Sequence, residues 1–283
     1  MLTLSNDLLP AELTRLAQPP KQVYCSSENF DSFLAMPRLA IIGSRKISPY
    51  GRNVTTKFAS ELAQRGVAII SGLALGTDSV AHTAALDAGG ITIAVLPSGL
   101  DRIYPTSHNQ LARRIVENSG ALITEYPFKT EPRKENFVAR NRIIAALAEG
   151  ILIPEAALKS GSLHTARFAL ELGLPVLAVP GPITSPTSEG TNNLIKAGAV
   201  PVTSVEDIIH ALNWRLDAQI SLELQANTEP ERVILELIHS GTTDGSELLI
   251  ASKLSASEFN QSVTMLELSS RIRPLGNNHW SLT

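Results

Sequence analysis

The sequence predicts an α/β protein: a doubly wound, mostly parallel sheet followed by a small winged-helix unit. Three observations lead there. From residue 39 to about 212, short apolar runs alternate with longer segments of helical period, the signature of βαβ units. Each run is too apolar to carry a wet face, as strands covered by helices on both sides must be. After Leu212 the pattern changes to short helices and a hairpin. At about 150 residues per domain, 283 residues accommodate two units. The expected division is an extension over 1–37, the sheet domain over 38–212, a linker over 213–228 and the winged-helix unit over 229–283.

In chain order, strands are expected at 39–42, 67–70, 92–96, 121–123, 151–154 and 176–179. Helices are expected at 50–64, 78–88, 107–118, 137–148, 163–172 and 191–196, with 205–212 closing the domain. Three short helices follow at 231–239, 246–252 and 255–269. Arg271-Ile272-Arg273, a turn at Gly276-Asn277-Asn278, and His279-Trp280-Ser281-Leu282 then read as the hairpin. Lys253, Arg271 and Arg273 are most of this unit's basic supply, so protein contact or a structural role suits it better than DNA binding.

Hydrophobic content of 43% and charged content of 18% describe an ordinary folded protein. The single cysteine, Cys25, excludes an internal disulfide framework and fits a reducing compartment. There is no basic leader with a long apolar core, and no apolar run reaches the ~18 residues of a membrane span. A cytoplasmic protein with no membrane association is expected. With a net charge of -3, any polyanion must meet a local patch rather than bulk charge.

Residues 134–142 (KENFVARNR) offer such a patch. Between residues 129 and 142 the cations Lys129, Arg133, Lys134, Arg140 and Arg142 stand against Glu131 and Glu135, and five minus two leaves an excess of three. With a helix starting near Asn136, Phe137, Arg140 and Asn141 fall at i, i+3 and i+4 and project from one face. Cations for phosphates beside a ring for bases suit a groove for single-stranded nucleic acid. A solvated helix start with one core phenylalanine is the other reading.

Ligands of doubly wound sheets bind where strands end and helices begin. Those ends carry Gly43-Ser44-Arg45, Ser71-Gly72, Pro97-Ser98-Gly99, Thr124-Glu125, Glu155, Ser160-Gly161-Ser162 and Pro180-Gly181. Tight turns need glycine anyway. Only the repetition, with Arg45 and the stretch from Ser162 to Thr165, points to a phosphate-binding rim.

Other chemistries are poorly served. GSRKIS after the first strand is not Gly-x-Gly-x-x-Gly, and no Gly-Lys-Ser/Thr follows any strand. The six histidines show no metal-ligand spacing, so neither metal nor cofactor is implied. Glu125 and Glu155 could form an acid/base pair, but accepting hydrogen bonds from helix starts or pairing with Arg140 or Arg142 suits them better. No catalytic residue is assigned.

Several stretches resemble the DprA/Smf DNA-processing proteins: AIIGSR (40–45), SPYG (48–51), SGLALGTDSVAH (71–82), GLDRIYP (99–105), FVARNRII (137–144), SGSLHTA (160–166), VPG (179–181) and GTNNLI (190–195). The resemblance covers nearly all of residues 20–212. It implies an extended Rossmann-like domain that binds single-stranded DNA in a basic pocket, dimerises through that domain, protects incoming strands and helps load the RecA recombinase during natural transformation, without catalysis. Carried onto this chain, phosphate would be held by Arg45 and the backbone of Gly43 and Ser44. Lys134, Phe137, Arg140 and Asn141 would hold phosphate and base, and Ser160, Gly161, Ser162 and Thr165 would complete the rim. Thr77, His108, Pro154 and Cys25 depart from the family's usual residues, and the short amino end leaves its helical module absent or vestigial. The alternative is a phosphoribohydrolase-like nucleotide-processing enzyme using Glu125 or Glu155.

Overall fold

The structure, a computed structural model, describes residues 2–5, 8–214, 216, 226, 228–269, 271–276 and 278–282. It contains two compact units, residues 1–215 and 216–283. The first begins with β1 (Leu2–Ser5), α1 (Ala11–Thr14), β2 (Gln22–Cys25) and α2 (Phe30–Leu34). Next come β3 (Arg38–Ile41), α3 (Pro49–Gln64), β4 (Ala68–Ser71), α4 (Thr77–Asp87), β5 (Thr92–Val95), α5 (Asn109–Glu117) and β6 (Ala121–Thr124). The unit closes with α6 (Lys134–Leu147), β7 (Gly150–Ile153), α7 (Ser162–Glu171), β8 (Val176–Ala178), α8 (Glu189–Lys196), β9 (Val200–Pro201) and α9 (Val205–Ala211).

The strands form one nine-stranded sheet in the order β1-β2-β6-β5-β4-β3-β7-β8-β9. From β6 to β9 every pairing is parallel. The chain builds outward from β3 to β6, then α6 carries it back so that β7 lands on the other side of β3. Strand order therefore reverses between β3 and β7, the place where doubly wound sheets open a crevice for ligands. Burial alternates along single strands: Ile93 and Val95 of β5 enter the core that contains Ile143 and Ile144 of α6, whereas Ala94 and Leu96 enter the core that contains Ala112 and Ile115 of α5. Helices on both faces explain why these strands lack polar alternation.

The segment expected as an extension belongs to the sheet. β1 and β2 form an antiparallel pair, and β2 pairs antiparallel with β6. These strands and β9 were not expected from the sequence. All three have partly exposed residues, and two-residue β9 places Pro201 next to the sheet edge, where a missing amide is tolerated. Pro154, expected inside a strand, lies just beyond β7. At the other end Trp214 donates its Nε1–H to Glu149 Oε2 at 2.6 Å, so the first unit continues through the start of the expected linker. Residues 215, 217–225 and 227 of that linker lie outside the described residues.

The second unit has helices Glu229–His239, Gly245–Ser252 and Ala256–Leu268, then strands Ile272–Gly276 and His279–Leu282 paired antiparallel. Ile234, Leu235, Leu248, Leu266 and Ile272 form its core. Asn277 of the expected turn is outside the described residues. Among the described residues no helix is long and apolar enough to cross a membrane.

Candidate nucleic-acid interface

At the carboxyl end of β3 the chain enters a loop that is clamped from two sides. Ser44 N donates to Glu155 O at 2.9 Å, and Ser44 O accepts from Thr77 N at 3.0 Å. Gly76 has φ +83°, and a Cβ there would strike Ser44 O and stand 2.8 Å from the Arg45 carbonyl, so this crossing requires glycine. The loop is thus fixed, and Arg45 extends from it into solvent. Its guanidinium carbon lies 5.1 Å from the centre of the Phe137 ring, a cation–π arrangement. The clamp also corrects one expectation. The Ser44 amide is engaged by Glu155 and is not open to a phosphate.

Phe137 arrives from the first turn of α6. Asn136 Nδ2 donates to Pro97 O at 3.0 Å, pinning the start of this helix beside the end of β5. The Phe137 ring is half-buried and meets Tyr104 edge-on, with centroids 5.4 Å apart and planes at 77°. Tyr104 is 46% exposed. It stands in the GLDRIYP stretch, and the signal that it belongs to the site was its place in that motif rather than any property of spacing. Lys134, exposed, precedes Phe137 by three residues on the same helix, which puts the two on one face.

Arg140 does not join them at the surface. It is 3% exposed, and its Nη1 donates to Gly72 O at 2.7 Å and also to Val95 O. It ties together the backbone just past β4 and the end of β5 from beneath. Burial lowers its pKa to about 10, opposed by the nearby Asp78 carboxylate, so it remains a cation at neutral pH. Asp78, also buried, accepts from the amides of Gly72 at 3.1 Å and Ala74 at 3.3 Å. Burial pushes its carboxyl up, with Arg140 as the main opposing influence. The expectation that Arg140 lies on the surface for phosphate is corrected on these grounds: it is almost wholly buried, and its Nη1 and Nε are engaged inside the protein. Asn141, half-buried, accepts from Arg140 Nε at 3.2 Å.

The loop after β7 lies across β3 from the ring cluster. Ser160 and Ser162 join their hydroxyls at 2.7 Å. Ser162 and Thr165 are buried, whereas Gly161 is exposed with open space where a Cβ would stand. From β5 to β7 this rim crosses three strand spacings, roughly 14 Å.

Both candidate carboxylates are occupied structurally. Glu155, 1% exposed, accepts from Ser48 N at 2.9 Å and from Ser48 Oγ at 2.6 Å at the start of α3. Glu125 pairs with Arg142 at 2.5 Å. The local excess of charge therefore resides elsewhere than the simple count implies. Arg140 is enclosed and Arg142 is neutralised, while Lys129, Arg133 and Lys134 are exposed, as are Arg45 and Lys46 before α3. Phe128, 49% exposed, adds an aromatic surface that the sequence reading passed over.

Residues 1–213 match the family described as DNA recombination-mediator protein A. The chain is 45% identical over 224 residues to Protein Smf of Escherichia coli K12, an alignment covering 77% of this chain and 59% of that protein. A Mycobacterium tuberculosis relative, 46% identical over 170 residues, is covered over 43% of its length, so the chain spans about half the length of these relatives. Among solved structures it is similar to DNA processing protein A of Streptococcus pneumoniae, with a TM-score of 0.68 and 36% identity over 74% of this chain and 73% of that one. It is likewise similar to DNA processing protein A of Helicobacter pylori, whose structure was described for its single-stranded DNA binding mode, with a TM-score of 0.67 and 37% identity over 75% and 95%. Matched over three quarters of its length by the family's own pattern, this chain belongs to the DNA recombination-mediator protein A family, the DprA/Smf DNA-processing proteins.

Proposed function

We propose that this chain binds single-stranded DNA across the carboxyl rim of its sheet and, without catalysing a reaction on it, hands the strand to the RecA recombinase in recombination or natural transformation. One observation carries the reading: exposed Arg45 and half-exposed Tyr104 both meet the half-buried Phe137 ring, which joins a cation and two rings in one cluster. Arg45 and Lys134 neutralise phosphates, and unpaired bases stack on the ring surfaces that Arg45 leaves open. Duplex DNA hides its base faces inside the helix, so the cluster favours unpaired strands. Gly161 marks the far end of the path. The single-stranded DNA binding named for the Helicobacter pylori neighbour supports the reading, and so does the structural occupation of Glu125 and Glu155, the residues a nucleotide-processing enzyme would need. We further read the protein as a cytoplasmic homodimer formed through the first unit, and the second unit as a winged helix used for protein contact.

The test is anisotropy titration of a fluorescent oligonucleotide, single-stranded and duplex, over a salt series with wild type, Arg45→Ala and Phe137→Ala. Single strand should be preferred, and Arg45→Ala should lower the slope of log K against log salt by about 0.7. Phe137→Ala should weaken binding by about 1–3 kcal/mol with the slope unchanged. Equal affinity of all three proteins at every salt concentration would remove this site from consideration.

A further inference from the structure

The amino end of α3 follows β3 at the switch point, the place where dinucleotide-binding sheets hold a ligand's phosphate against free helix amides. Here that place is taken by the chain's own Glu155. Both carboxylate oxygens reach Ser48, the residue that caps this sixteen-residue helix, through its amide at 2.9 Å and its hydroxyl at 2.6 Å. Two glycines are shaped around the intruding residue. A Cβ on Gly51 would stand 2.6 Å from Glu155 Oε2, and one on Gly43 would stand 2.7 Å from Glu155 O. The side chain is 1% exposed, and its backbone carbonyl holds Ser44, next to Arg45. A buried carboxylate facing the positive end of a helix has the charge and hydrogen-bonding pattern of a bound phosphate.

We propose that Glu155 is a built-in anion that closes the α3 amino end to free phosphate and so restricts this rim to polynucleotides, a selectivity role that rests on the single-strand reading above. AMP carries one phosphate group, and with α3 closed that phosphate loses the helix end at the switch point. A strand gathers several contacts with the exposed side chains of the rim at once. The carboxylate thereby discriminates by occupying the switch-point helix end, where a single phosphate would otherwise meet a helix dipole and the Ser48 donors.

The experiment measures thermal unfolding of the full chain in inorganic phosphate and in AMP against chloride at matched ionic strength. Wild type should melt alike in all three. Glu155→Ala, which empties the space beside Ser48, should show a saturable rise in Tm of several degrees with phosphate, and AMP should then compete with the oligonucleotide for it. A Glu155→Ala protein that folds only when phosphate is present gives the same support. If that variant folds in neither medium, Gly51→Ala, which drives a methyl against the carboxylate, is read in the same way. Saturable binding of phosphate or AMP to wild type overturns the proposal, as does a folded variant whose Tm is indifferent to phosphate. Wild type that binds no oligonucleotide would instead defeat the single-strand reading, while a gain of phosphate binding in the variant would still establish the closure.

Discussion

Replacing Arg140 by methionine separates a structural cation from a DNA contact. The side chain donates to Gly72 O and Val95 O and is the strongest charge acting on buried Asp78, so the variant loses both hydrogen bonds and leaves the carboxylate to the amides of Ala74 and Gly72 and the weaker pull of Arg45. Leaving buried carbonyls without their donor costs about 1–3 kcal/mol for each group, roughly 2–6 kcal/mol for the two. With a urea dependence of roughly 2–3 kcal/mol per molar, the midpoint of the first unit should fall by about 1–2 M. Trp214 belongs to the first unit and Trp280 to the second, so fluorescence in a Trp280→Phe background follows the first unit alone. The loss should also depend on pH. Asp78 has its folded pKa raised by burial, so its stabilising effect is complete below the ordinary aspartate value and fades as pH rises through the folded value. Arg140 opposes that rise, and removing it raises the folded pKa further. The deficit of the variant should therefore be larger at neutral pH than near pH 4, about the unperturbed aspartate value. A midpoint that stays in place while strand affinity falls and the salt slope shrinks would refute this reasoning and return Arg140 to the phosphate contacts.

Three further outcomes follow from the same geometry. Gly72→Ala puts a methyl 2.5 Å from Arg140 Nη2, so it should destabilise the first unit in the same urea assay, and its effect should largely vanish in the Arg140→Met background. Additive losses would mean the two residues act separately. Tyr104→Ala should weaken single-strand binding by about 1–3 kcal/mol with no change in salt slope, and its coupling to Phe137→Ala in a double-mutant cycle should be measurable because the rings touch. Zero coupling would place Tyr104 outside the site. Burial pushes the Cys25 thiol up to about 11, so at pH 8 alkylation should run at least about 100-fold slower than for a free cysteine and recover in urea. Rapid labelling of the folded chain would contradict that burial.

The parallel strands were legible because burial on both faces leaves continuous apolar runs, as in ALIT of β6 and GILI of β7, and the ends of such runs locate the ligand rim. The family itself was legible from ordered motifs over nearly the whole first unit. Short β1, β2 and β9 carry too few residues and too little apolar contrast to stand out, and what holds β1 and β2 is pairing with a neighbour remote in sequence. The helix bearing Phe137, Arg140 and Asn141 was also legible, but its orientation was not. Residues three apart share a helical face, and how deep each side chain lies along that face depends on what is packed opposite.

What the sequence determined by itself, then, is the wound sheet, the rim at which its loops gather and the residue types that meet there, because hydrophobic period and turn chemistry are local properties. Tertiary structure alone decided that Arg45 lies on Phe137 while Arg140 is drawn beneath to the carbonyls of Gly72 and Val95, and that Glu155 fills the end of α3. The reason is physical: whether a charged group meets solvent, a ring or a buried carbonyl depends on partners brought from β4, β5 and β7 by long crossovers, and no spacing along one helix encodes them.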